Sequence, residues 1–299
     1  MRVLLIFVDG LGIGKRGGAN PLHLLGRAAE PLAVFEDEEP ELPFGGTLVR
    51  TDPRLGVEGR PQSASGQTTI LTGVNAPAAL GHHKQGFPNE ALREIIRANS
   101  IFLRLERAGV RPNLFANAYT RRFFETRPRW VSATTVAVEA AGLPFRTADD
   151  LRAGRAVFHD FTNATVGERG EDNVPLRTPE EAAHILAALA SEHRFTLYEH
   201  FLTDRMGHDQ NTEGALAVLS NLARFVRAVL AETDLDSTTV ILTSDHGNVE
   251  DLSARNHTLN DVPTLAWGPG RASVAARVRT LADITPAIYG ILTAKEAAA

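Results

Sequence analysis

Six consecutive apolar residues, Val3-Leu4-Leu5-Ile6-Phe7-Val8, stop abruptly at Asp9-Gly10, and no other stretch limits the possible folds so strongly. A continuous β-branched and aliphatic run suits a strand buried on both faces, the setting of a central parallel strand. Gly10, Gly12 and Gly14 break it at once. Thr238 to Thr243 is a second such run, and Asp245-His246 follows it closely. Open α/β sheets bind ligands beyond the carboxyl ends of their strands, so two strands ending in carboxylates mark one rim as a place for chemistry. An Asp after one strand alone serves equally well as a turn former.

Helical stretches alternate with further strands. A helix is expected to begin within Thr68 to Leu80, after a Ser-rich turn, and another to run from Asn89 to Ala108 and stop at Gly109. Asn113 to Tyr119 reads as a strand. Glu180 to Ala190 reads as a helix with Thr178 as N-cap and Pro179 at its first position. Phe195 to Leu202 follows as a strand, Gly214 to Thr233 as a long helix, Thr264 to Trp267 as a short strand and Ile284 to Ile291 as a closing helix. This alternation predicts an α/β fold with a largely parallel central sheet flanked by helices on both faces. Residues 121–177, rich in Arg, Thr and Gly, fit it poorly. They are expected to form a small insertion or lid on a catalytic core made of residues 1–120 and 178–299, and the Ala-rich last residues to fray.

Composition narrows the function. The 299 residues carry a net charge of −5, which argues against a nucleic-acid partner. No apolar stretch is expected to span a bilayer, and the first apolar run is too short for a secretory signal, so the cytoplasm is the expected location. Cysteine is absent, so any metal site must use oxygen and imidazole ligands, a set suited to Mn or Zn and also open to Mg.

Five separated segments supply such ligands: Asp9-Gly10, Gln62 to Thr68, Asp204 to His208, Ser244 to Asn248, and Asn256-His257-Thr258. They offer three carboxylates (Asp9, Asp204, Asp245), three imidazoles (His208, His246, His257) and one nucleophilic hydroxyl, Ser63, with Ser65 as a second candidate. Two divalent ions about 3.5–4 Å apart clamp the attacking and leaving oxygens of an in-line displacement, and this inventory matches their needs. Asp204 and His208 are four residues apart, which brings them to one face of a helix; a capping Asp and a surface His have the same spacing. His257 has no local partner, and a purely structural role is open to it. Lys84, after His82-His83, and an arginine cluster of Arg121, Arg122, Arg127 and Arg129 are candidate substrate-binding cations; the cluster is equally readable as a solvated loop face.

In combination these segments resemble the alkaline phosphatase superfamily, and most of all its branch containing cofactor-independent phosphoglycerate mutase and phosphopentomutase. The resemblance rests on Asp9-Gly10, Ser63-Ala64-Ser65-Gly66-Gln67, Asp204-x-x-Gly207-His208, Asp245-His246-Gly247-Asn248 with Glu250, and His257-Thr258 before Val262-Pro263. The stretch Gly86-Phe87-Pro88-Asn89-Glu90 is similar to one in phosphopentomutases. The resemblance implies one ion held by Asp204, His208 and His257. It implies a second held by Asp9, Asp245 and His246 that also touches the Ser63 oxygen.

Gln67 stands where the family has His, and the 121–177 segment is much shorter than the cap with which phosphomutases enclose a substrate. A mutase must shield its dephosphorylated intermediate from water. The favoured expectation is therefore hydrolysis of a small phosphomonoester through phosphoserine. Phosphomutase activity of the phosphoglycerate or phosphopentose type is the alternative, and a catalytically silent metal-binding or regulatory protein is a third reading.

Overall fold

The structure is a computed structural model that describes residues 1–126 and 128–294; Arg127 and the Ala-rich end lie outside the described residues. Its strands are β1 (Arg2–Val8), β2 (Thr47–Thr51), β3 (Asn113–Phe115), β4 (Ala118–Tyr119), β5 (Arg146–Thr147), β6 (Phe195–His200), β7 (Thr238–Thr243) and β8 (Val262–Trp267). Six form one sheet in the order β2-β8-β7-β1-β6-β3, while β4 and β5 pair separately. β1 lies at the centre, parallel to both β6 and β7, and β8 alone runs against the others, pairing antiparallel with β7 on one side and with β2 at the edge. The expected largely parallel sheet is the one observed.

The strand sequences account for the layers. Leu4, Ile6 and Val8 of β1 face a core shared with helices Pro179–Glu192 and Thr212–Glu232. Val3, Leu5 and Phe7 face the opposite core, which includes Ile70, Phe102, Val136 and Ile288. Each side chain fully buried in this way contributes about 1.5–3 kcal/mol, so the uninterrupted apolar run is what a two-sided layer demands. Helix Thr212–Glu232 is, by length and composition, long and apolar enough to cross a bilayer, contrary to the sequence-based expectation. Here its Leu219, Leu222, Phe225, Val226 and Val229 are buried in the core, with Phe225 stacked on Phe161 at 4.5 Å.

Register aligns the rim. Val8 pairs with His200 across β1 and β6, and Phe7 pairs with Thr243 across β1 and β7. The segments beginning at Asp9, Phe201 and Ser244 therefore leave the sheet side by side.

Several element boundaries differ from expectation, each for a local reason. The helix expected from Thr68 starts at Ser63 and ends at Thr72, where Gly73 turns left-handed, and a second short helix, Ala76–Leu80, follows. The stretch 89–108 divides into Glu90–Asn99 and Ile101–Arg107 because Ser100 adopts ψ 144° and caps the second helix through the Leu103 N–H. The strand expected over 113–119 splits into β3 and β4 in different sheets. Between them the Asn117 side chain bonds to both backbone groups of Glu199, at 2.7 and 2.8 Å, replacing a strand ladder. β6 ends at His200, and helix Leu202–Asp209 begins directly. Within 121–177, helix Ala133–Ala140 buries Val136, Ala137 and Val138 in the main core. A small cluster of Leu151, Ala156, Phe158 and Val166 packs with Ala118.

Candidate metal centre

All seven residues expected as ligands or nucleophile meet at the carboxyl rim of β1, β6 and β7. Asp9 follows β1, Asp245 and His246 follow β7, and Asp204 and His208 lie one turn apart on helix Leu202–Asp209. Gly10, at φ 73°, lets this helix approach; a Cβ there would lie 2.8 Å from the Asp204 Cα. Ser63 opens helix Ser63–Thr72, and Gly66 on that helix leaves room for Asp245, whose Cβ would be 2.9 Å from a Cβ at that position.

The ligand atoms form two triads, Asp204 with His208 and His257, and Asp9 with Asp204 and His246. His208 Nε2 is 3.4 Å from Asp204 Oδ2, and His257 Nε2 is 3.5 Å from Asp204 Oδ1. His246 Nε2 lies 3.3 Å from Asp9 Oδ1 and 3.0 Å from the Ser63 Oγ. Asp245 stands slightly aside, its Oδ2 3.6 Å from His246 Nε2. Asp204 thus belongs to both triads, and Asp245, the ligand the resemblance gives to the second ion, stands beside the second.

The imidazoles are held from behind. His257 Nδ1 faces the Pro61 carbonyl at 2.8 Å, and His208 Nδ1 faces the Arg255 carbonyl at 3.0 Å. Those bonds place the proton on Nδ1 and leave Nε2, facing the cluster, free to act as ligand. The His246 and His257 rings stack at 3.6 Å.

Electrostatically the cluster needs cations. Burial, then the Asp9 charge, push the Asp245 carboxyl well above the usual range. Burial opposes charge on His246, but Asp245, Asp9 and Asp204 outweigh it and raise its pKa to about 10. Burial likewise works against ionised Asp204, yet the His257 hydrogen bond, His246 and the Asn248 amide hold it below the ordinary carboxylate range. Asp9 Oδ1 and His246 Nδ1 are buried without a hydrogen-bond partner. Converging carboxylates, imidazole nitrogens and orphaned buried atoms are what a pair of divalent ions requires, so the residues fit the expected cofactor.

Sequence reasoning missed the parts that hold this arrangement together. Gln67, noted only as a lost histidine, donates its amide to both Asp9 Oδ2 and Asp245 Oδ2 at 3.2 Å. It is the donor that joins two buried like charges. Asn248 donates to Asp204 Oδ1 at 2.7 Å. Glu250 accepts from the N–H groups of Gly12 and Asn248 and from Thr258 Oγ1, tying three loops together. The signal available in the sequence was the proximity of Asn248 and Glu250 to Asp245.

The second candidate nucleophile, Ser65, faces elsewhere: its hydroxyl donates to the Gln62 carbonyl and accepts from the Lys84 N–H. A cavity of about 690 Å³ opens over the cluster, with Asp9, Ser63, Asp204 and His208 at its floor. Among the described residues, none of the expected substrate-binding cations lines it. Lys84 donates its ammonium to the Gln85 carbonyl, and the Arg121 backbone is pinned by Glu171 while its side chain faces Glu125. Arg122 is absent from the lining, and Arg127 lies outside the described residues. The guanidinium groups that do line the cavity are Arg169 and Arg205.

With the geometry established, the likeness to known proteins becomes informative. Residues 173–296, which carry six of the residues in the two triads and their supports, match the family model of the metalloenzyme superfamily. A phosphopentomutase of Methylobacterium sp. is 30% identical over 236 residues, 74% of this chain and 55% of that protein. A 2,3-bisphosphoglycerate-independent phosphoglycerate mutase of Wolinella succinogenes is 29% identical over 130 residues, 40% of this chain and 26% of that protein. The chain thus spans about half the length of these relatives, or less. A cold-active alkaline phosphatase from a psychrophilic Shewanella sp. shares the fold, with a TM-score of 0.55 over 98% of this chain and 100% of that one at 12% identity. The ligand-bearing part of the chain, residues 173–296, thus matches the metalloenzyme superfamily, and the chain as a whole has an alkaline-phosphatase-like fold.

Proposed function

We propose that the chain is a two-metal-dependent phosphomonoesterase acting through Ser63. The observation that carries this reading is the position of the Ser63 Oγ, 3.0 Å from His246 Nε2 at the floor of the cavity. Bound divalent ions would supply charge that lowers the hydroxyl's pKa and neutralises the phosphoryl oxygens. Asp204, His208 and His257 would hold one, and Asp9, Asp204 and His246 the other, with Asp245 beside the second.

The chain's own residues do the rest. Helix Ser63–Thr72 presents the serine oxygen to the cavity, and Gln67 keeps Asp9 and Asp245 in place. Arg169 and Arg205 line the cavity, Arg205 beside Asp209, and would be available to bind phosphoryl oxygens. The Ser63 hydroxyl gives up its proton to solvent and the Oγ–P bond forms as the ester P–O bond breaks, and the alcohol leaves with a proton taken from solvent. Water then attacks phosphorus, the Oγ–P bond breaks, and inorganic phosphate departs. Hydrolysis is favoured over isomerisation because the cavity mouth is wet: Phe87 and Trp130, which line it, are 49% and 54% exposed.

Phosphomutase activity is the second reading, supported by the likeness to a phosphopentomutase over most of the chain. Phosphorus NMR of the metal-loaded protein with ribose 1-phosphate, and separately with 3-phosphoglycerate, separates the two. Inorganic phosphate is expected to accumulate faster than any isomer, with phosphate trapped on Ser63 after quenching. Conversion to an isomer without free phosphate would overturn the phosphatase reading.

A further inference from the structure

The cavity above the metal centre is walled by rings. On one side Phe158, His159 and Phe201 form a continuous stack, with centroids 4.2 Å apart at each step. On the other, Tyr119 packs on Phe123 at 4.4 Å. At the mouth stand Phe87 and Trp130, large apolar side chains left about half exposed. Folding does not explain them: both line the cavity while remaining open to solvent.

Several polar groups in these walls are occupied with one another. The Tyr119 hydroxyl bonds to Thr135 Oγ1 at 2.7 Å, and Ser132 Oγ bonds to the same oxygen at 2.9 Å. The Asn117 amide is committed to the backbone of Glu199, whereas both ring nitrogens of His159 are buried without a hydrogen-bond partner. Most of the wall that the hydroxyls of a sugar or a glycerate would meet is ring surface, where they leave water without gaining a partner. A volume of about 690 Å³ is also far more than a three-carbon phosphate fills, and lies in the range of sites for much larger organic ligands.

We infer that the ester substrate carries an apolar, ring-bearing alcohol, gripped between Phe87 and Trp130 at the mouth and the ring-lined walls, with its phosphate on the metal-cluster floor. This assignment rests on the phosphatase reading and deepens it. Aromatic faces favour flat rings by offset or edge-on contact in addition to the area they bury. Among the described residues, Arg169 and Arg205 are the guanidinium groups lining the cavity, and they suit a single phosphate.

The test compares naphthylethyl phosphate with propyl phosphate on the metal-loaded full chain. Both have primary alcohols as leaving groups, so the ring is the main difference. A kcat/KM advantage of about a hundredfold for the naphthyl ester is expected, mostly in KM. In Phe87→Ala and in Trp130→Ala that ratio should fall about five- to tenfold. Equal kcat/KM for the two esters, or a ratio that neither substitution moves, would overturn the inference while leaving the phosphatase reading intact. Failure to cleave either ester would sink the phosphatase reading instead, and binding then decides. Calorimetric titration with naphthylethylphosphonate should show at least about tenfold tighter binding than with propylphosphonate; equal affinities would overturn the ring-binding assignment.

Discussion

The floor and the walls of the cavity are built on different principles. The floor comes from segments leaving three adjacent parallel strands, whose register sets Asp9, Asp204, Asp245 and His246 within a few ångströms. Its side chains are polar, buried and cross-linked through Gln67, Asn248 and Glu250. The walls come mainly from the connections between residues 115 and 169, together with Phe87 and Phe201, and are held by ring packing. A bonded, charged floor tolerates little change, because removing one partner leaves another buried charge uncompensated. Walls of packed rings can change shape by substitution without unsettling the chemistry below. In the proposed reading, reaction type is therefore set by the sheet and ligand choice by the connections.

That contrast can be broken at the floor first. Asp204 belongs to both triads, so Asp204→Asn should lower kcat on every ester by on the order of a thousandfold or more. Elemental analysis of the purified variant should show both ions depleted. Loss of one ion with the other at full occupancy would mean that the triads do not share this carboxylate.

Gln67→Leu should have a smaller effect. With Asp9 and Asp245 no longer joined by a donor, metal affinity should fall about 10- to 100-fold, as loss of an outer hydrogen-bond partner usually costs. Activity should return at high metal concentration. A variant that titrates like the parent would show that the amide bridge is incidental.

An effect on stability rather than on turnover is expected in and behind the walls, at His159 and His200. Burial, opposed by a hydrogen bond to the His159 carbonyl, lowers His200 to about 4. Burial together with the Arg169 charge lowers His159 to about 3. Both folded pKa values lie below the unfolded one, so the unfolded chain takes up protons first as pH falls. The stability they contribute is fully present above about pH 6.5 and is lost progressively down to pH 4 and 3, on the order of 3 kcal/mol for His200 at most. Urea unfolding of metal-free protein should show a shallower loss of stability between pH 7 and pH 5 for His200→Gln than for the parent. Equal slopes would place His200 outside the acid sensitivity of this region.

Much of this molecule was legible before its structure. The runs Val3 to Val8 and Thr238 to Thr243 are suited to burial between two layers, and the carboxylates that follow both of them mark one rim for chemistry. The strong helix signals at Thr178-Pro179 and along Gly214 to Thr233 likewise held to within a turn. These features are local: periodicity, capping and donor chemistry are written in neighbouring residues. What the tertiary structure alone decided is who meets whom across the chain. It put Asp204 between the imidazoles, joined Asp9 to Asp245 through Gln67, and brought Arg169 and Arg205 to the cavity in place of Lys84, Arg121 and Arg122. It also gathered Phe87, Tyr119, Trp130, Phe158 and Phe201 around one space. Such meetings depend on strand register and on the paths of long connections, which are fixed by packing of the whole chain and leave no periodic trace along it.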